Sequence, residues 1–302
     1  SVADLLIAKR RSCRNVLQIH GAAFDRFYAA SGTLRQRCIT WSLSLADCIV
    51  ALSPRWRNEL LMMAPRANVA VVENAVQPQT DPPQRSHGGP CRFLLLARMD
   101  KWKGVDDLLE AAEHMRSAGC AFELVLAGPS GTASAGGTLV EKLRCKGLHG
   151  TVRYVGPVRG DDKHDLLRRA DVYVQPSHHE GMPIAILEAL SYGLPVVATQ
   201  VGAVPEMMTH GCEGLLVPPR APGQLAEAMI ALAENPTQRH AMGNAASLLV
   251  ASRFSTDRLT NDLVAIYNDL LRPPGAQTTT RRTNAPRDSC EPTGSGTTVS
   301  TA

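Results

Sequence analysis

The sequence predicts an α/β protein made of two doubly wound domains of parallel strands, the first of them incomplete. Three observations carry this. Short apolar runs alternate with stretches of helical periodicity from Val16 to Val72, and again from Phe93 to Leu271, the pattern of strands joined by crossover helices. Between them, residues 77–90 are rich in Pro, Gly, Gln and Asp and have no periodicity, as an interdomain linker does. Finally, Asp171 to Met208 reads as strand, loop, helix, strand, a parallel crossover. The expected division is therefore 1–76, a partial first domain; 77–90, a linker; 91–271, a second domain; and 272–302, a tail.

The elements follow in order. Residues 2–11 read as the end of an amphipathic helix, with the chain starting inside it at Ser1 and without a Met, which reads as a fragment or a processed start. Val16 to His20 form a strand, Leu34 to Ala46 a helix and Cys48 to Leu52 a strand. Ser53-Pro54 is a cap followed by proline at the first helical position, which predicts a helix to Met63. Val69 to Val72 close the first domain. In the second, strands are expected at Phe93 to Ala97, Phe122 to Ala127, Val152 to Val155, Val172 to Val174, Pro195 to Ala198 and Leu215 to Val217. Helices are expected from Val105, over Leu139 to Leu148 and Lys163 to Ala170, and from Pro183 to a stop at Gly193. Three more follow at Pro222 to Glu234, Thr237 to Ala251 and Thr256 to Leu271. Residues 273–302 are rich in Thr, Pro, Ser and Gly, with too few large apolar side chains to fold, and read as disordered.

Composition narrows the function classes. Hydrophobic content of 44% and charged content of 20% are those of an ordinary globular chain, and 302 residues suffice for two cores. Aromatic content of 4% argues against a base-stacking platform for nucleic acid. The net charge of +4 names no partner by itself. It is uneven: residues 1–40 hold Lys9, Arg10, Arg11, Arg14, Arg26, Arg35 and Arg37 against Asp4 and Asp25. That stretch reads as a solvated helix face, with peripheral contact to anionic lipid or a phosphorylated acceptor as the alternative. None of the 8 cysteines forms a C-x-x-C, and several lie in apolar periodic runs as small hydrophobes. This fits a reducing, cytoplasmic setting. No apolar run is long enough to span a membrane.

The chemistry concentrates at the carboxyl ends of the second domain's strands, where such sheets bind ligands. Glu180 lies in the loop before the helix that starts near Pro183, and Glu188 lies on that helix. Two carboxylates thus flank a helix N-terminus whose N–H groups suit an anion, while the acids suit sugar or ribose hydroxyls. Arg98 ends the domain's first strand and Lys103-Gly104 opens the next helix, so two cations and a helix start form a phosphate site. His20 ends a first-domain strand, either facing the cleft or serving as a core or capping histidine. His178 and His179 read as plain loop polarity, and Glu206 as a structural carboxylate at a helix start. No D-x-D pair is placed to hold a metal.

The block EGMPIAILEALSYGLPVVAT, followed in order by GAVPE and GLLVPP, resembles the donor site of retaining glycosyltransferases of family 4, with its E-x7-E signature. Upstream, HG, LADCIVALSPRW and VVENAV resemble the second half of that family's N-terminal domain. The resemblance implies a GT-B fold of two Rossmann-like domains, the first lacking its initial half, with the glycine-rich loop and much of the acceptor pocket. It also implies that the last helix crosses back to the first domain. Arg98 and Lys103 correspond to the family's donor-phosphate pair, Glu180 to the group that holds the donor sugar, and Glu188 to the one that holds the ribose. The resemblance extends to Gly181, Met182 and Pro183 around the sugar or phosphate, to Val158 beside the base, and to His20 across the cleft.

The implied activity is retaining, metal-independent transfer of a sugar from a nucleotide-diphosphate sugar to a glycan or lipid-linked acceptor, without a resident cofactor, in the cytoplasm, with peripheral contact at the inner face of the membrane as the alternative to a freely cytoplasmic protein. Other readings are a sugar-nucleotide epimerase, a phosphorylase, and a nucleotide-sugar-binding remnant without transfer activity.

Overall fold

The computed structural model describes residues 2–20, 24–79, 89–130 and 138–272. Most of the expected linker, the expected tail, Cys290 and the Gly21 of the HG motif lie outside these residues.

The first half runs α1 (Val2–Arg10), β1 (Val16–Gln18), α2 (Phe24–Ala29), α3 (Thr33–Leu43), β2 (Cys48–Ala51), α4 (Pro54–Met63) and β3 (Val69–Val71). Its strands form a parallel sheet in the order β1-β2-β3. β2 is buried along its whole length, and Leu60, Trp56 and Met63 of α4 pack on it with Ile49 and Ala51. The Ser53 hydroxyl accepts the Trp56 N–H and caps α4, with Pro54 at its first position. Helix α2 escapes the alternation reading, although Phe24, Phe27 and Tyr28 have helical spacing.

The second half runs β4 (Cys91–Leu96), α5 (Val105–Ser117), β5 (Phe122–Ala127), α6 (Leu139–Cys145), β6 (Val152–Gly156) and α7 (Gly160–Arg169). It continues through β7 (Val172–Gln175), α8 (Ile184–Ser191), β8 (Val196–Thr199), α9 (Val204–Met207), β9 (Gly214–Val217), α10 (Pro222–Glu234), α11 (Pro236–Arg253) and α12 (Thr256–Leu271). All strands pair parallel, in the order β6-β5-β4-β7-β8-β9. This is a doubly wound sheet whose order reverses between β4 and β7. Both faces are covered. Phe93, Leu95, Val172 and Val174 join α5 and α10 on one side, while Leu94, Tyr173 and Val196 join α8 and α11 on the other. That double burial is why the strands read as continuous apolar runs rather than alternating ones. Asp171 locks the reversal: one carboxylate oxygen accepts from Arg92 N and Nε at 2.9 and 3.0 Å, and the other accepts from the same guanidinium at 3.3 Å.

The chain leaving β3 is tied to the joint between α11 and α12. Val76 N donates to Phe254 O at 2.9 Å, the buried Glu73 carboxylate pairs with Arg253, and Arg258 donates to Glu73 O at 2.9 Å. The C-terminal helices therefore reach the first half of the chain, as the resemblance implies. The architecture is GT-B. Among the described residues no helix is long and apolar enough to cross a membrane.

Candidate active site

Because β4 and β7 are neighbours at the reversal, the loops that follow them meet. Their contact is backbone on backbone: a Cβ on Gly104 would fall 1.8 Å from Pro176 O, and Gly104 has φ +66°. His178 N donates to Trp102 O at 2.8 Å. Asp100 shapes the first loop, accepting from Trp102 N and Lys103 N at 2.9 and 3.1 Å to cap a short 3-10 turn over Lys101–Lys103. That turn brings Lys103 Nζ to 2.8 Å from Glu180 Oε1.

Glu180 is 7% exposed as a side chain. Its Oε1 also accepts from Gln175 Nε2 and Ser177 Oγ, both at 2.6 Å. Three donors thus hold one oxygen, while Oε2 receives no hydrogen bond among the described residues. A buried carboxylate held in this way is a fixed acceptor for hydroxyl groups. Gln175 and Ser177 were not singled out from the sequence, and the spacing Gln-x-Ser-x-x-Glu was the signal available. The same loop is sewn to the one after β8: Ala203 N donates to Gly181 O at 2.8 Å, and Gly202 approaches Glu180 O closely.

Pro183 is the N-cap of α8 rather than its first helical residue, with φ −71° and ψ 117°. Gly181 and Met182, both buried, donate their N–H groups to no acceptor among the described residues. Buried N–H groups at a helix start without partners are an anion site. Glu188, on the next turn, is held by Lys163 Nζ at 2.7 Å. Val158 is half-buried between β6 and α7. Arg98 is largely exposed and its Nε donates to Asp100 Oδ2 at 2.5 Å, so it and Lys103 project from one loop.

A cleft of about 380 Å³ opens between the two halves at Glu180, within the range of small-molecule sites. The first half contributes Asp25 and Arg26 from α2 and Arg55 from α4. The second contributes His178, His179, Gly202 and Arg220. A larger cavity of about 490 Å³ lies on the first half around Trp41 and contains none of the predicted site residues. The converging charges make the smaller cleft the candidate site.

The structure refines three expectations. His178 and His179 are not loop polarity alone: His178 Nε2 meets Asp107 Oδ2 at 2.9 Å, and the His179 ring lies against Trp102. Burial, and then the Arg26 charge, lower the His179 pKa. Glu206 sits on the short α9, but its carboxylate accepts Arg55 N at 3.3 Å, so it serves the N-terminus of α4 in the other half. His20 is exposed, which removes the core-histidine alternative. Among the described residues, no group of three or more His, Cys, Asp or Glu side chains is placed to hold a metal ion.

Residues 90–235 match the family model described as Glycosyl transferases group 1. A D-inositol 3-phosphate glycosyltransferase of Corynebacterium diphtheriae is 29% identical over 252 residues, covering 78% of this chain and 59% of the relative. A glycogen synthase of Mycobacterium tuberculosis is 26% identical, covering 76% and 55%. The chain thus spans under two thirds of the length of these curated relatives. Among solved structures, Anabaena HepE in complex with UDP superposes with TM-score 0.76 at 18% identity, covering 88% of this chain and 75% of that one. Sucrose-phosphate synthase from Thermosynechococcus elongatus gives 0.73 at 21%, covering 85% and 68%.

Proposed function

We propose that this chain, whose residues 90–235 match the family model described as Glycosyl transferases group 1, is the catalytic part of a retaining family 4 glycosyltransferase that uses a nucleotide-diphosphate sugar. The observation that carries the reading is the meeting of Lys103, the fixed Glu180 and the open N–H groups of Gly181 and Met182 at the sheet's reversal. In this reading Arg98 and Lys103 neutralise the diphosphate as it leaves, so no metal or resident cofactor is needed. Glu180 holds the donor sugar, Glu188 turns to the ribose, and Val158 and Pro183 border the nucleotide. His20 reaches the sugar from the first half of the chain.

The sugar–phosphate bond breaks and the acceptor oxygen bonds the same carbon on the same face. The leaving phosphate oxygen takes the acceptor hydroxyl proton, so the products are a glycoside and a nucleoside diphosphate. Relatives named for an inositol phosphate and for glycogen support a hydroxyl acceptor, here a glycan or lipid-linked precursor. Under the same reading, residues 1–76 and 91–271 are the acceptor-side and donor-side domains. The protein works in the cytoplasm, with the basic N-terminal stretch at the inner membrane face.

Calorimetry with UDP, GDP and ADP in the presence of EDTA tests the donor site. Binding of one nucleotide, weakened in Arg98→Ala or Lys103→Ala by roughly 1.5–3 kcal/mol, the range for hydrogen bonds to charged groups, is the expected result. Unchanged affinity in both variants sinks the phosphate assignment. Loss of binding or turnover on removing metal sinks the metal-free mechanism.

A further inference from the structure

The charges around the cleft do not cancel by themselves, and what is left over describes a ligand. Arg55 Nε is paired with Glu59 at 3.0 Å and Glu180 with Lys103 at 2.8 Å. Two guanidiniums remain, Arg26 from α2 and Arg220 from the turn after β9. They come from opposite sides of the cleft, both are exposed, and neither side chain has an ion-pair partner among the described residues. Asp25 is the carboxylate left over, and its Oδ1 is buried without a hydrogen-bond partner. A buried carboxylate oxygen without a donor is costly unless something brings one.

Arg220 adds a second observation. Its φ is +59°, the left-handed region that a side chain other than Gly, Asn or Asp rarely adopts. Such strain persists where the surroundings demand it, and it gathers at ligand sites. Here the strained residue lines the cleft beside Pro219. Burial lowers the His179 pKa most, and the Arg26 and Arg220 charges both lower it further, in keeping with two guanidiniums beside the one cleft.

We propose that the acceptor bound in this cleft is a polyhydroxylated anion, its phosphate or carboxylate gripped by Arg26 and Arg220 and one hydroxyl donated to Asp25. This rests on the cleft being the acceptor side of a sugar-transfer site. One negative charge on the ligand matches the excess of two guanidiniums over one carboxylate. A planar guanidinium presents paired N–H donors that suit both oxyanions.

The test measures binding of glucose 6-phosphate, glucuronate and glucose by saturation-transfer NMR, with and without saturating UDP, GDP or ADP. The proteins are wild type, Arg26→Gln, Arg220→Gly and the double variant. At least one anion should bind where glucose does not, and each single variant should weaken it roughly tenfold or more. Phosphate and carboxylate arms that differ identify the oxyanion. Nucleotide affinity should stay the same in every variant. Arg220→Gly should melt at or above the wild-type temperature, because glycine relieves the left-handed backbone. A purely structural arginine would lower it.

Glucose binding as tightly as the anions overturns the proposal, as does wild-type anion affinity in the double variant. Nucleotide affinity falling by the same factor as anion affinity also overturns it, by assigning the arginines to the donor phosphate. If no nucleotide binds yet the anion binds through these arginines, the donor reading fails and this one stands.

Discussion

Gly202→Ala should damage the loop that carries Glu180 through geometry alone. Gly202 has φ +58°, and a Cβ built on it would lie 2.0 Å from Glu180 O and 2.8 Å from Gly181 O. Both are backbone atoms of the loop that holds Glu180, so they cannot swing aside as a side-chain end would. Alanine in the left-handed region costs about 1–2 kcal/mol. Parting the two loops adds about 1 kcal/mol for the Ala203 N to Gly181 O bond and roughly 1–3 kcal/mol for the forced backbone shift. The sum is roughly 3–6 kcal/mol. Gly119→Ala is the matched control, since Gly119 has φ +74° and nothing within 4 Å of its would-be Cβ. It should cost only the conformational part, ~1–2 kcal/mol. Urea denaturation of both variants measures the difference, and calorimetry with the nucleotide that binds wild type measures the loop. Gly202→Ala should lose nucleotide affinity and Gly119→Ala should keep it. If the two variants are equally stable, or Gly202→Ala binds nucleotide as wild type does, the close approach is not what holds Glu180 in place.

Three further outcomes are expected. Arg253→Ala leaves the buried Glu73 carboxylate without its charged partner and should cost roughly 2–3 kcal/mol in denaturant, below the range for fully buried pairs because Arg253 is partly exposed; a change under about 0.5 kcal/mol would show that the latch between β3 and α11 contributes nothing. His179 has a pKa lowered from 6.5 by burial and Arg26, so the unfolded chain takes up its proton first, and the stability it contributes is complete above that value and is lost as pH falls through it toward the folded pKa; the slope of stability against pH between 7 and 5 should flatten in His179→Gln, and an unaltered slope would refute the assignment. Cys13, Cys38 and Cys145 are exposed while Cys48 and Cys91 are buried with raised pKa values, that of Cys91 to about 12; maleimide labelling read by peptide mass should mark the first three in the native protein and the last two only after unfolding.

Much of this protein was legible in its sequence because the relevant signals are local. Alternating apolar runs and helical stretches specify strands and crossover helices, since a strand buried on both faces must be apolar throughout. Ser53-Pro54, Gly193 and Pro222 mark helix ends because capping and backbone restriction act within a few residues. Glu180, Glu188, Arg98 and Lys103 stood out because the ends of parallel strands collect ligand chemistry. The tertiary structure decided which of these meet. Strand order is not a local property, and only the pairing of β4 with β7 brings Lys103 to Glu180, 77 positions apart in the chain. The buried partners Gln175 and Ser177 look like ordinary loop polarity until the loop is folded over them. Arg26, Arg55 and Arg220 look like surface charges until α2, α4 and the turn after β9 enclose one cleft. Charge is read along the chain, but the field at a site depends on distances through space, and packing sets those distances.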